Sequence, residues 1–252
     1  IPDGMNIQKG QMVLVPFRNQ TLPAIVKNIH NSTPKYPTKD IAEAMPNGLT
    51  ENQSTLANWM SEFYKCPYSK VIDFFIPEKV WEPSKKASIP QLIPALNKKN
   101  VQDSLDLSGK SQMTTKLAKQ IMAITTPCLV FEQTTLPRKE FFKDLAAELQ
   151  KDDQALFLFP DLFTLNAFAN DMPVYHGELK ESAKATLWKG VKSGEIKTIA
   201  GTRGALFLPF KNLVLITVDA EHSESYREIR QPNYDALEVA EKMASQGKSK
   251  LV

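Results

Sequence analysis

Two short stretches hold the residues best suited to chemistry. Asp219-Ala220-Glu221-His222 follows directly on the apolar run Leu213 to Val218. A carboxylate at the end of a buried strand is where a nucleotide-binding fold holds Mg²⁺; the plainer alternative is a helix cap or a turn. Gly201-Thr202-Arg203-Gly204 follows the run Ile196 to Ala200. Flanking glycines leave backbone N–H groups open to an anion, and the arginine can pair with phosphate. The alternative there is an ordinary turn whose arginine makes a surface salt bridge. His176 has no metal or nucleophile partner in the pattern and reads as a hydrogen-bonded structural histidine, and His30 carries no signal. Cys66 and Cys128, the two cysteines, are too few for a four-thiolate zinc site.

These residues need a scaffold, and hydrophobic periodicity supplies one. Met12 to Phe17 and Leu22 to Ile29 read as short strands, the second at an edge because Pro23 cannot donate to a ladder. Residues 31–54 are polar and rich in Pro, Asn, Ser and Thr, and read as loop. Leu56, Trp59, Met60, Phe63 and Tyr64 then fall on one helical face, with Ser54 or Thr55 as cap. Residues 83–114 lose periodicity and carry three prolines, so they read as a linker after a first unit of residues 1–82. From 115 to 252 short apolar runs (128–131, 155–159, 196–200, 213–218) alternate with helical patterns at 138–150, 178–193 and 234–246. That alternation predicts an α/β fold with a doubly wound parallel sheet, whose active groups sit beyond the carboxyl ends of the strands.

Composition sets the outer bounds. The 252 residues are 42% hydrophobic and 23% charged, which excludes intrinsic disorder and collagen. No run approaches the ~18 apolar residues of a membrane span. Sparse cysteine and the lack of an export signal point to a reducing, cytoplasmic setting. The start at Ile1 and the apolar end at Val252 read as a fragment at both ends. The net charge of +3 lies in residues 1–110, with 13 basic against 10 acidic, while 111–252 balance at 18 against 18. An excess this small is compatible with a polyanionic partner and with plain solvation alike.

Longer motifs around these stretches resemble the primosomal protein N′ family, the bacterial replication-restart DNA helicases. Val174-Tyr175-His176-Gly177-Glu178-Leu179, Trp188 to Glu195, Gly201 to Phe210, the box at 219–222, Ser225-Tyr226-Arg227 and Pro232-Asn233-Tyr234 match it almost without gaps from about 172 to 240. Gly10 to Phe17 is similar to the family's "G..V.VPFg", and Phe63 to Tyr68 to its "YYlCPlg". The resemblance implies a small, mainly-β 3′-DNA-binding domain over 1–82 and a first RecA-like helicase lobe over 115–252, with a second lobe expected beyond Val252. It implies DNA, forked or single-stranded, as partner, together with other replication-restart proteins, and no membrane. Thr202 and Arg203 match the element that grips the strand backbone. Tyr226, Arg227 and Tyr234 match an aromatic-rich loop that senses DNA; rings stack on bases while arginine meets phosphate, unless the two tyrosines are partly buried on the lobe surface.

The departures from the pattern fall on the chemistry. The family's glycine-rich phosphate loop is replaced by Glu132 to Glu140, which holds no glycine. Leu136 and Pro137 add bulk, and proline also removes an N–H. Arg138 stands at the lysine position and Lys139 at the Ser/Thr position, so these two with Asp219 are the candidate nucleotide-binding residues. The "DEEH" box keeps Asp219, Glu221 and His222, but Ala220 replaces the carboxylate that would orient water, a loss of ~10²–10⁴ in rate. The expectation is therefore a DNA-binding, helicase-like protein without ATP turnover and with no cofactor. The alternatives are part of an active, divergent ATP-dependent helicase, which would need ATP and Mg²⁺, and a non-enzymatic replication scaffold.

Overall fold

The computed structural model describes residues 1, 5–32, 35–82, 108–124, 127–130, 137–169 and 171–252. The chain opens with an antiparallel sheet of three strands, β1 (Gln11–Phe17), β2 (Gln20–Ile25) and β3 (Glu43–Gly48), in the order β2-β1-β3. Pro23 lies on β2, an edge strand, where its missing N–H leaves no gap in the ladder. β3 falls inside the stretch expected to be loop. Its sequence, with Pro46 and Asn47-Gly48, carries turn chemistry, and pairing to β1 overrides it. Gly48 is required by close approach: a Cβ there would stand 2.6 Å from the Gly10 carbonyl oxygen.

Helix α1 (Glu51–Phe63) starts earlier than the sequence suggests. Its cap is Thr50, not Ser54 or Thr55, because Gln53 completes a capping box: Thr50 Oγ1 accepts from Gln53 N at 3.2 Å and Gln53 Oε1 from Thr50 N at 3.0 Å. Two short helices follow, α2 (Tyr68–Ile72) and α3 (Glu78–Trp81), so this part of the chain has as many helices as strands. Residues 83–107, most of the expected linker, lie outside the described residues. Helix α4 (Ser108–Ala123) begins within the remainder of that stretch. Among its described side chains, Leu117, Ala118 and Ile121 make apolar contacts.

The rest is an α/β unit. It runs α5 (Arg138–Ala147), β4 (Gln154–Leu158), α6 (Leu162–Phe168), β5 (Val174–Tyr175), α7 (Glu181–Ser193), β6 (Thr198–Gly201), β7 (Leu213–Val218), α8 (Ala236–Gly247) and β8 (Lys250–Leu251). The five strands form one all-parallel sheet in the order β5-β6-β4-β7-β8. Central β4 is buried along its whole length, as the apolar run Ala155 to Leu158 requires. Strand alternation sends Leu156 and Leu158 to one core, with α7 and α8, and Ala155, Phe157 and Phe159 to the other, with α4, α5 and α6. Buried Gln154 ties the strand entry: its Nε2 donates to Val191 O (3.0 Å) and Ile196 O (2.8 Å), while its Oε1 accepts from Lys211 N (2.7 Å) and Asn212 N (3.1 Å).

The three-stranded part shares a core with the α/β unit. One continuous apolar cluster runs from Met12 and Met60 through Phe75 to Trp188, Phe207 and Val239. Polar contacts cross the same seam: Trp188 Nε1 donates to Phe75 O, Gln53 Nε2 to Phe207 O and Lys192 Nζ to Gly48 O, each at 2.8 Å. No helix among the described residues is long and apolar enough to cross a membrane.

Candidate nucleic-acid interface and strand-end site

Asp219 leaves the carboxyl end of β7, where its N–H donates to Leu158 O at 3.0 Å. Its Oδ1 lies 3.3 Å from Nη1 of Arg138, the first residue of α5. Two of the three candidate nucleotide-binding residues therefore meet each other directly, and the carboxylate is almost fully buried. The guanidinium also sits 5.7 Å from the Phe168 ring centroid. A metal ion at this oxygen would have to displace or adjoin a fixed cation, an unfavourable exchange. Ala220 follows with φ 51, a left-handed conformation costly for any residue with a Cβ. Glu221 and His222 stand out into solvent, 3.9 Å apart. Lys139 is exposed on α5. Of the altered phosphate loop, Pro137 to Glu140 are described and Glu132 to Leu136 lie outside the described residues.

The expected DNA-gripping residues are differently used. Thr202 spends its backbone N–H on Tyr175 O at 3.1 Å, so that N–H is not open to an anion. Arg203 is about one-third exposed: Nη1 donates to Ser225 O (2.9 Å), and Nη2 lies 3.4 Å from Glu228 Oε2. The same oxygen accepts from Arg230 Nη2 at 3.0 Å. Glu228 is 3% exposed. Burial alone would push its carboxyl up, but hydrogen bonds from the Arg230 side chain and backbone, with the charges of Arg203 and Arg230, hold it down at about 2.

The tyrosine expectation is corrected outright. Tyr226 is 2% and Tyr234 1% exposed, so neither ring has a face to offer a base. Tyr226 O–H donates to the carbonyl of Asp219 at 2.7 Å. Burial, then the nearby Asp219, pushes that hydroxyl's pKa up. Tyr234 packs edge-on against Phe74 and Phe207, with centroids 5.4 and 5.2 Å away. The aromatic residues anchor the 223–235 loop from inside; its exposed tip is Arg227, Ile229 and Arg230. Arg227 pairs with Glu224 (3.3 Å) and Asp235 (3.7 Å). Glu228 and Arg230 were not singled out in the sequence, where alternating charges in a short loop carry no distinguishing signal. His176 also departs from expectation: its buried Nδ1 has no hydrogen-bond partner among the described residues, and burial lowers the ring's pKa.

A second group was missed at the β1–β2 hairpin. Phe17 is 52% exposed, and the Arg18 guanidinium lies 5.5 Å from its ring centroid. Arg18 has φ 54, where the family pattern carries glycine. Lys39 Nζ reaches the Arg18 carbonyl at 3.5 Å. Residues 4–39 contain Lys9, Arg18, Lys27, Lys35 and Lys39 and no Asp or Glu. The available signal was this one-sided charge, diluted by the near-neutral average of the chain.

Comparison with known proteins gives matches over both parts of the chain. Residues 1–77 match the family model described as the 3'DNA-binding domain (3'BD) of PriA. The chain is 26% identical over 251 residues to replication restart protein PriA of Rickettsia conorii, covering 95% of the chain and 37% of that protein. It is 29% identical over 241 residues to the Helicobacter pylori (strain 26695) protein of that name, covering 92% and 36%. The Thermotoga maritima protein of the same name is 26% identical over 254 residues, covering 93% and 33%. The chain thus spans little more than a third of the length of the curated relatives it matches. With a domain model matching its first 77 residues and PriA proteins aligned across most of its length, this chain is similar to the PriA family from end to end of the described fold.

Proposed function

We propose that this chain binds forked or single-stranded DNA as part of a replication-restart protein and does not turn over ATP. The observation that carries the reading is the β1–β2 tip: an exposed Phe17 beside Arg18 and Lys39, within a carboxylate-free stretch that matches a 3'DNA-binding domain. An exposed ring stacks on an unpaired base while adjacent cations meet phosphates. The absence of turnover is supported by Ala220 at the water-orienting position and by Arg138 held against Asp219.

Fluorescence anisotropy of the full chain with a forked oligonucleotide tests the binding. Affinity should fall linearly with salt on a log–log plot, and Lys39→Ala should lower the slope by about 0.7. Binding without a salt slope would instead favour a scaffold. Retention of Asp219 at a strand end favours a second reading, an active divergent helicase. An ATPase assay with forked DNA separates the two: DNA-stimulated turnover that disappears in Asp219→Ala would reject the inactive reading.

A further inference from the structure

A partly open cavity of about 90 Å³ lies on the seam between the three-stranded part and the α/β unit, away from both the hairpin tip and Asp219. Its floor is apolar, formed by Leu56 of α1, Leu208 and Phe210 of the segment after β6, and Met243 of α8. Its rim carries the carboxamides of Asn52 and Gln246, at the first turn of α1 and the last turn of α8. Neither carboxamide makes a hydrogen bond among the described residues; no carboxylate lines the cavity, and its one charged lining residue, Lys211, runs its chain past Gly194.

We propose that this cavity is a binding site for a small, neutral, planar heterocycle with a donor and an acceptor side by side on its edge. The apolar floor takes the ring face by excluding water from it. A carboxamide presents N–H and C=O in one plane, and a lactam edge is its complement. The volume is of the order that admits one ring, on the scale of the ~150 Å³ apolar cavity that takes up benzene. Because α1 and α8 come from opposite sides of the seam, such a ligand would bind only the assembled fold and stabilise it.

The test uses 2-pyridone as lactam probe and benzene as control, with the full chain labelled at methionine methyls. 2-Pyridone should shift the Met243 methyl signal at up to roughly 10 mM, the range for so few atoms. Gln246→Leu should weaken 2-pyridone about fivefold, one net hydrogen bond, and leave benzene binding unchanged. Leu208→Trp should fill the site and abolish both shifts at Met243; its fold is checked by circular dichroism, and Gln246→Leu keeps the test valid if it fails. No Met243 shift with 2-pyridone, or binding that Gln246→Leu leaves intact, would overturn the proposal.

Discussion

Arg203 and Arg230 share one oxygen of Glu228, at 3.4 and 3.0 Å, and thereby close the 223–235 loop over buried Tyr226 and Tyr234. These two guanidinium groups, one partly and one largely exposed, are thus neutralised in part from within.

The shared carboxylate gives the loop an acid dependence. Its folded pKa of about 2 lies below the ordinary 4.5, so its contribution to stability is full above pH ~4.5 and lost as pH falls toward 2. Urea midpoints at about pH 6 and about pH 3 should differ more in the parent than in Glu228→Gln. Equal differences in both proteins would show that the carboxylate is not the titrating group.

Tyr226→Phe removes the donor to the Asp219 carbonyl and keeps the ring. The expected loss is about 1 kcal/mol, read by chemical denaturation. A neutral result would mean that water replaces the hydroxyl without cost.

Gln154→Leu should be far more damaging. It removes four hydrogen bonds at once, two of them, to Val191 O and Ile196 O, fully buried. A loss of at least ~3 kcal/mol, or roughly 6 °C or more in Tm, is expected by calorimetry. A drop below ~1 kcal/mol would contradict the bonding described.

Arg18 separates strain from binding. Arg18→Gly relieves a left-handed residue, a gain of about 1 kcal/mol offset partly by glycine's greater unfolded freedom. Arg18→Ala keeps the strain. Both should reduce the salt slope of DNA binding by about 0.7; an unchanged slope in both would exclude Arg18 as a phosphate contact.

The parallel sheet was legible because β4 and β7 are apolar at every position but Gln154 and Thr217, a pattern that burial on both faces imposes. β3 was not, because Pro46 and Asn47-Gly48 signal a turn and only the long-range partner β1 makes them a strand. The sequence put Asp219 and Arg203 just after strands and Arg138 at a helix start, and the elements fall there. It could not show that Arg138 and Asp219 take each other as partners, since 81 residues separate them. Nor does spacing tell a stacking tyrosine from an anchoring one: Tyr226 and Tyr234 differ from surface rings only in what Asp219, Phe74 and Phe207 do around them.

The bond from the Trp188 indole to Phe75 fixes a lever arm. With helices from both sides locked into one interior, the hairpin cannot swing on a hinge at that seam. On the proposed reading, a strand held by Phe17 and Lys39 stays at a set distance from the open end of the parallel strands, and this part of the molecule acts as a gauge of strand length.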